Sequence, residues 1–504
     1  MQLANLLNSV TVIKIFQTQF GKMAVTHDVV INKVEYDSRE ISRGDMFVAL
    51  RGKNSDGHKF IQDAIANGAK VVVVEDDNAL PDSFFMHTGV VKIVVGNSRK
   101  ALAILSANYC KHPADKLKII GVTGTNGKTT ATHIIKSLFE EKQNNKIGLI
   151  GTIENKIGDK VIPSTLTTPE SLELQKMFLK MNEAGCSTVV MEVSSHALHQ
   201  NRVFGINFAA GVFTNLTQDH LDYHGSMEEY FKAKKILFDN LDGNAVAITN
   251  YDDEYGLKIV ESSRAKLITY GTDKQAEVFA ENIQLLPTST TFTVNYQGDK
   301  FDIESPLVGK FNVYNILAAI STALAFDIKI SSIQHSLATI PPVRGRFENI
   351  VSPKGWRAII DYAHTPDALM KCLLAIRDLL SNQKTPNGKI ITVFGAGGDR
   401  DKTKRPIMGK IASELSDVVI LTSDNPRSED PYKIIADIAE GIKNNSGFFQ
   451  EVDRQRAIEK AVELVSKGDI ILIAGKGHEN YQIIGNKKNH FNDREVVEEI
   501  IRQM

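Results

Sequence analysis

The sequence predicts a multidomain α/β protein built on parallel sheets, and three observations lead there. At 504 residues the chain is too long for one hydrophobic core, and about three domains are expected. Leu117, Ile119 and Ile120 run into the glycine-rich stretch Gly121 to Thr130, followed by Ile134, Ile135, Leu138 and Phe139 at helical spacing. Beyond Pro341-Pro342, four near-continuous apolar runs each end in a polar loop, with helical stretches between them, as in a doubly wound sheet.

Composition narrows the function classes. A formal charge of −1 argues against general nucleic-acid binding. There is no run of about 18 apolar residues to insert in a membrane. Met1 to Phe20 carries Lys14 as its one cation and lacks the form of a signal peptide. Cys110, Cys186 and Cys372 are odd in number, far apart and not in metal spacing, which fits reduced thiols in a cytoplasm.

In chain order, the residues up to about Tyr109 read as a small α/β unit. Val34 to Arg39 and Met46 to Leu50 are expected as strands, Phe60 to Gly68 as a helix and Val71 to Val74 as a buried strand. Gly52 to Gly57 reads as a polar loop, and Asp37-Ser38-Arg39 as a capped turn. Lys111 to Lys116 is a plausible linker.

The next stretch, strand then Gly124-Thr125-Asn126-Gly127-Lys128-Thr129-Thr130 then helix, has the layout of a phosphate-binding loop. Its glycines let main-chain N–H groups close round an anion, and the helix start adds partial positive charge. Lys128 is suited to the outer phosphates and the Thr129 hydroxyl to Mg²⁺, so nucleoside triphosphate binding is expected. Val122 stands where the general pattern has its first glycine.

Val189 to Val193 is expected as a strand, with Glu192 near its end, where a buried carboxylate must be paired or hold metal. Val212-Phe213 leads into Asp219-His220-Leu221-Asp222. Ligands gather beyond the carboxyl ends of such strands, so Thr129, Glu192 and His220 are candidate Mg²⁺ ligands. Met227 to Leu237 is expected as a helix, on which Lys232, Lys234 and Lys235 read by charge alone as a solvated face. Residues 271–308 suggest a β insertion, and Gly309 to Asn315 opens an apolar helix, Ile316 to Phe326.

The four C-terminal runs end in Asp361-Tyr362-Ala363-His364, Gly395 to Arg400, Asp424-Asn425-Pro426-Arg427 and Gly475-Lys476-Gly477-His478-Glu479. Gly395 to Gly398 misses the dinucleotide spacing, so NAD is not expected.

These loops together resemble the Mur ligases of bacterial cell-wall synthesis. The stretches G-T-N-G-K-T-T, M-E-V-S-S-H, D-H-L-D-Y-H-G, G-x-F-N-x-x-N, G-R-F-E, D-Y-A-H-T-P-D and D-N-P-R carry the resemblance over essentially the whole length. It implies a small N-terminal α/β domain for a UDP group (1–112), a central phosphate-loop ATPase domain (113–340) and a C-terminal Rossmann-like domain that brings an amino acid (341–504). The implied reaction joins meso-diaminopimelate to UDP-MurNAc-dipeptide at the expense of ATP, through an acyl phosphate, in the cytoplasm and by a monomer.

By the same resemblance Ser38 contacts the uridine portion, and Thr167, Thr168, Ser194, Gln200 and Arg202 bind the muramoyl peptide, with Leu166 where some relatives have asparagine. Asn312, Arg346 and Asp361 match positions that hold adenine nucleotide. Lys234 falls where the family carries a lysine carbamylated by CO₂, which replaces its solvated-face reading with that of a further Mg²⁺ ligand. Family members that use diaminopimelate carry Asp-Asn-Pro-Arg, here Asp424 to Arg427, and Arg400, Gly475 and Glu479 match the rest of that pocket. A guanidinium grips a second carboxylate with two parallel hydrogen bonds, which lysine lacks. Three rivals are weighed: a folylpolyglutamate synthetase, disfavoured by Asp-Asn-Pro-Arg; a nucleotide switch, disfavoured by the lack of a guanine motif; and an inactive scaffold, disfavoured because Lys128, Thr129, Glu192, His220 and Lys234 are all present.

Overall fold

The computed structural model describes residues 1–17, 29–52, 55–86, 88–141, 146–286, 288–381, 388–443 and 447–504. Residues 53 and 54 of the expected polar loop and 18–20 of the N-terminal stretch lie outside them. The chain forms two compact units: Met1–Gly121, Lys146–Ala209 and Asn240–Asp242 make the first, and Val122–Asn145, Ala210–Asp239 and Gly243–Met504 the second. The expected central segment, 113–340, is thus shared between them. Tyr36 Oη donates to Glu173 (3.0 Å) and Asn182 to the Pro113 carbonyl (2.7 Å), which ties 146–209 to the N-terminal residues.

Among its described residues the first unit has a five-stranded sheet in the order Val12–Phe16, Val91–Val95, Val71–Val74, Met46–Val48, Val34–Glu35. The first of these is antiparallel to its neighbour and the rest are parallel. Alternation sets its two faces: Val71 and Val73 join one apolar cluster, Val72 and Val74 the other. The strand expected over Val34 to Arg39 stops at Glu35, because the Asp37 carboxylate accepts from Arg39 N (3.0 Å) and caps a 3-10 turn, Ser38–Glu40. The expected linker is instead a 3-10 turn, Pro113–Lys116, with Pro113 and Ala114 buried.

In the second unit Phe213, Asn250 and Gly271 end parallel strands, Val246–Asn250 pairing with Lys266–Gly271. The β insertion is an antiparallel run, Val278–Leu285, Thr290–Tyr296 and Asp299–Ser305. The apolar helix starts earlier than its hydrophobic run, at Lys310, and extends to Ala325.

The C-terminal sheet positions most of the site. Its order is Glu348–Val351, Arg357–Asp361, Ile470–Ala474, Ile390–Phe394, Val418–Leu421, Phe448–Gln450, all parallel except the first. Ile470 and Leu472 face one core, Ile471 and Ile473 the other, so both faces are covered and the strands read as unbroken apolar runs. Four adjacent strands therefore deliver the loops after Asp361, Ala474, Phe394 and Leu421 to one carboxyl edge.

Candidate active site

In the second unit the phosphate loop is pinned from beneath by the end of the next strand. Thr125 N donates to Asn215 O (2.8 Å) and Asn126 N to Asn215 Oδ1 (3.0 Å), while the Thr214 hydroxyl donates to Asn126 O (2.6 Å). A Cβ on Gly124 would lie 1.9 Å from Thr214 Oγ1, so only glycine allows this approach. Lys128, Thr129 and Thr130 open the helix Lys128–Glu140, and Gly127 precedes it in a left-handed conformation. Lys128 Nζ reaches back to the carbonyls of Gly124 (2.9 Å) and Thr125 (2.8 Å).

Lys234 joins this group. The helix Met227–Asp239 buries it to 1 % exposure, with Nζ 2.8 Å from Gly124 O and 4.5 Å from the Tyr230 ring centre. Burial, reinforced by the Lys128 charge, pushes its ammonium well below the ordinary lysine range. Lys232 and Lys235 pair with Glu229 and Asp239 at the surface. His220, at positive φ, starts the turn Leu221–His224, and burial lowers its imidazole to about 4, so it is neutral near pH 7.

Of the residues expected to hold adenine nucleotide, Arg346 meets the helix start directly. Arg346 Nη2 donates to Thr129 Oγ1 (3.1 Å), and its guanidinium lies 4.6 Å from the Tyr362 ring centre. Gly345, at φ +64°, lets that arginine's turn pass under His478, where a Cβ would be 2.1 Å from the His478 nitrogen. Asp361 accepts from Phe347 N (2.6 Å) and Ala363 N (2.8 Å), and burial raises its pKa. Asn312 donates to Val308 O (2.8 Å) and accepts from Asn315 (3.0 Å).

Asp367 was not singled out by sequence, yet its carboxylate accepts from Asn126 Nδ2 (2.7 Å) and Thr217 Oγ1 (3.1 Å). Lys404, also missed, donates to His364 O (2.8 Å) and senses both Asp219 and Asp424. Asp367 lies within the quoted D-Y-A-H-T-P-D stretch, but nothing in its spacing points at the loop.

The Asp-Asn-Pro-Arg turn is assembled from three loops. Gly475 N donates to Asp361 O (3.1 Å), joining two of the strand-end loops. Asn425 Nδ2 donates to Glu479 Oε2 (2.7 Å), and Gly398 N to Asn425 O (2.9 Å). Pro426 O accepts from Glu429 N, Asp424 is buried, and Arg400 is exposed with Nη1 on Asp399 O (3.0 Å). Arg427 sits at φ +52°, its Nη1 3.0 Å or less from one acceptor, Gly398 O at 2.7 Å. The hairpin Tyr481–Ile484/Lys487–His490, which the sequence reading did not mark, braces it: Arg427 N donates to Ile483 O (3.1 Å) and Arg427 O accepts from Gly485 N (2.8 Å).

The first unit holds the remaining candidates. Arg202 Nη1 donates to Thr168 O (2.8 Å), its Nη2 to Gln200 Oε1 (2.7 Å), and its Nε lies 2.9 Å from Glu170. Thr168 Oγ1 donates to Glu192 O (2.8 Å) and accepts from Ser194 N (3.1 Å); the Ser194 hydroxyl caps the helix Ser195–His199. Thr167 pairs with Thr152 (3.0 Å). Leu166 is exposed, and its carbonyl accepts from Ser164 (3.1 Å). Glu192 is fully buried and accepts from Thr152 N (2.8 Å) and Oγ1 (3.0 Å). Ser38, 8 % exposed, gives its carbonyl to Asn67 (2.9 Å).

No group of three or more His, Cys, Asp or Glu is arranged for a metal among the described residues. No helix among them is long and apolar enough to cross a membrane. Cys110, Cys186 and Cys372 are buried thiols outside any disulfide.

Fold and site define a nucleotide-binding α/β enzyme of the phosphate-loop class. Models of the Mur ligase family match this chain three times: the Mur ligase family catalytic domain at 30–110, the middle domain at 122–323 and the glutamate ligase domain at 345–477. The UDP-N-acetylmuramoyl-L-alanyl-D-glutamate--2,6-diaminopimelate ligase of Clostridium botulinum is 46 % identical over 94 % of this chain and 96 % of its own length. That of Caldanaerobacter subterraneus is 45 % identical over 94 % and 96 %. A solved diaminopimelate ligase of the same name superposes with a TM-score of 0.66 at 32 % identity, covering 96 % of this chain and 98 % of that one. The chain belongs to the Mur ligase family, with its three-domain architecture. A Mycobacterium tuberculosis folylpolyglutamate synthase shares the fold (TM-score 0.61, 17 % identity, 75 % of this chain and 92 % of that one).

Proposed function

We propose that this chain ligates meso-diaminopimelate to the D-glutamate carboxylate of UDP-MurNAc-L-alanyl-D-glutamate, with cleavage of ATP to ADP and phosphate, in peptidoglycan synthesis. One observation carries the reading: phosphate loop and Asp-Asn-Pro-Arg turn belong to a single compact unit, linked through Arg346–Thr129 and Gly475–Asp361. The named relatives support the choice of substrates.

A carboxylate resists attack by an amine because oxide is a poor leaving group. Transfer of the γ-phosphoryl to the carboxylate oxygen gives an acyl phosphate and ADP. The amine of the incoming amino acid then attacks the acyl carbon, phosphate departs with the C–O bond's electrons, and the amine's proton goes to solvent. Lys128 and the loop N–H groups offset charge during transfer, and Arg346 steadies Thr129 at the same helix start. Arg202, Thr168 and Ser194 orient the muramoyl peptide, and Ser38 the uridine end. Asn312 and Asp361 hold the adenine nucleotide, and Arg427, Arg400, Asp424, Asn425 and Glu479 the amino acid. Much of the rate comes from bringing two substrates into register.

Thr129, His220 and a carbamylated Lys234 would hold Mg²⁺, with Glu192 a further candidate ligand, and the ion would supply further neutralisation of phosphate charge. The donors fit: His220 is neutral, and a buried amine with a depressed pKa is the form that adds CO₂, gaining an N–C bond and releasing a proton. The protein acts as a cytoplasmic monomer with functional boundaries near residues 112 and 340. The deciding assay follows phosphate release with UDP-MurNAc-dipeptide, ATP and Mg²⁺, offering diaminopimelate, lysine or, for the folate reading, a folate with glutamate. Release with diaminopimelate alone is expected, and release with lysine or folate instead overturns the assignment.

A further inference from the structure

Lys476 lies in the stretch Gly475 to Glu479, but no role falls to it from the reading above. It is completely buried, at 0 % exposure, which for an ammonium demands strong compensation. That compensation comes from two residues of the amino-acid pocket. Nζ is 3.2 Å from Glu479 Oε2 and 3.4 Å from Asn425 Oδ1, and Asn425 Nδ2 donates to the same Glu479 oxygen at 2.7 Å. The three form a closed triangle of one cation, one carboxylate and one amide. Asn425 Oδ1 also accepts from Ile483 N (2.9 Å), which fastens the triangle to the hairpin that braces Arg427. On its open side the Tyr481 ring centre stands 5.6 Å from the lysine nitrogen.

We infer that Lys476 is a positioning residue for the incoming amino acid, resting on the ligase reading above. It sets the orientation of Glu479 and Asn425 and offsets the carboxylate's charge beneath the ligand, without itself touching the substrate. A long side chain such as glutamate retains rotamer freedom that ligand binding must otherwise remove. Tying Oε2 to Lys476 and Asn425 removes it beforehand. The same fixation reaches Arg427 through the hairpin, so one buried cation organises both charged ends of the pocket. The triangle's hydrogen bonds run to Glu479, Asn425 and the hairpin, all on the amino-acid side, so the effect on diaminopimelate should exceed that on the nucleotide.

The test uses full-length protein and the phosphate-release assay. K476M removes the charge at similar volume. Its KM for diaminopimelate is expected to rise on the order of tenfold or more, with the KM for ATP changed by less than about twofold. The double variant K476M/E479Q is expected to be no worse than E479Q alone, because the lysine acts through that carboxylate. An unchanged KM for diaminopimelate, proportionate rises for both substrates, or additive losses in the double variant overturn the inference. If K476M alone does not fold, recovery of a folded protein in K476M/E479Q supports the pairing, and failure of both overturns it. Wild-type protein that releases no phosphate with diaminopimelate refutes the ligase reading instead and is distinguished by that control.

Discussion

The phosphate loop and the Asp-Asn-Pro-Arg turn are built in different ways. The loop is seven consecutive residues whose main-chain groups are held from one strand end, with Thr125 N on Asn215 O, Asn126 N on Asn215 Oδ1 and Asn126 O on the Thr214 hydroxyl. The turn draws on three loops and a hairpin, and side chains join them: Asn425 to Glu479, Lys476 to both, Arg427 to Gly398. A contiguous loop takes its shape from neighbouring residues, whereas a turn joined by side chains from separate loops can be altered one residue at a time.

The sharpest break comes from Arg427→Ala. It is expected to lower kcat/KM for diaminopimelate by about 10³-fold while nucleotide binding, measured by calorimetry, survives. Loss of both together would mean that the two regions are not separable. Gly124→Ala tests the opposite side. Its Cβ would meet Thr214 Oγ1 at 1.9 Å, and nucleotide affinity should fall about 10²-fold. Near-normal affinity would show that the loop is held by something other than close packing.

Lys234→Ala sharpens the comparison, because this side chain sits against the backbone loop. Turnover is expected to drop about tenfold or more, with partial recovery on adding a short carboxylate such as acetate. No loss of rate would remove the carbamate proposal. The smallest effect concerns acid. His220 titrates near 4 in the folded chain against an ordinary 6.5, so between those values only the unfolded chain gains the proton. Its contribution to stability therefore falls as pH drops through that window. NMR titration of the ring should show the low midpoint, and a midpoint near 6.5 would show that this half-exposed ring keeps its water.

The contrast also explains what was legible in advance. Gly124 to Thr130 was readable because strand, turn and helix lie side by side in the chain. The β insertion and the four C-terminal strands were readable from alternation and from unbroken apolar runs. Lys111 to Lys116 reads as a linker, and what the sequence does not announce is the 3-10 turn Pro113–Lys116, whose Pro113 carbonyl accepts from Asn182, far along the chain. Asp367 and Lys476 stayed silent for the same reason: an aspartate after a proline and a lysine between glycines look like surface residues until their partners are known.

By itself, then, the order of residues determined the loop chemistry, the α/β layering and the family, since each rests on short-range periodicity or contiguous motifs. Tertiary structure alone decided that Asp367 reaches Asn126, that Arg346 sits on Thr129, and that Lys476 lies buried between Asn425 and Glu479. Those contacts join residues up to 241 positions apart, and which charged side chains lose their water depends on how the chain closes over them.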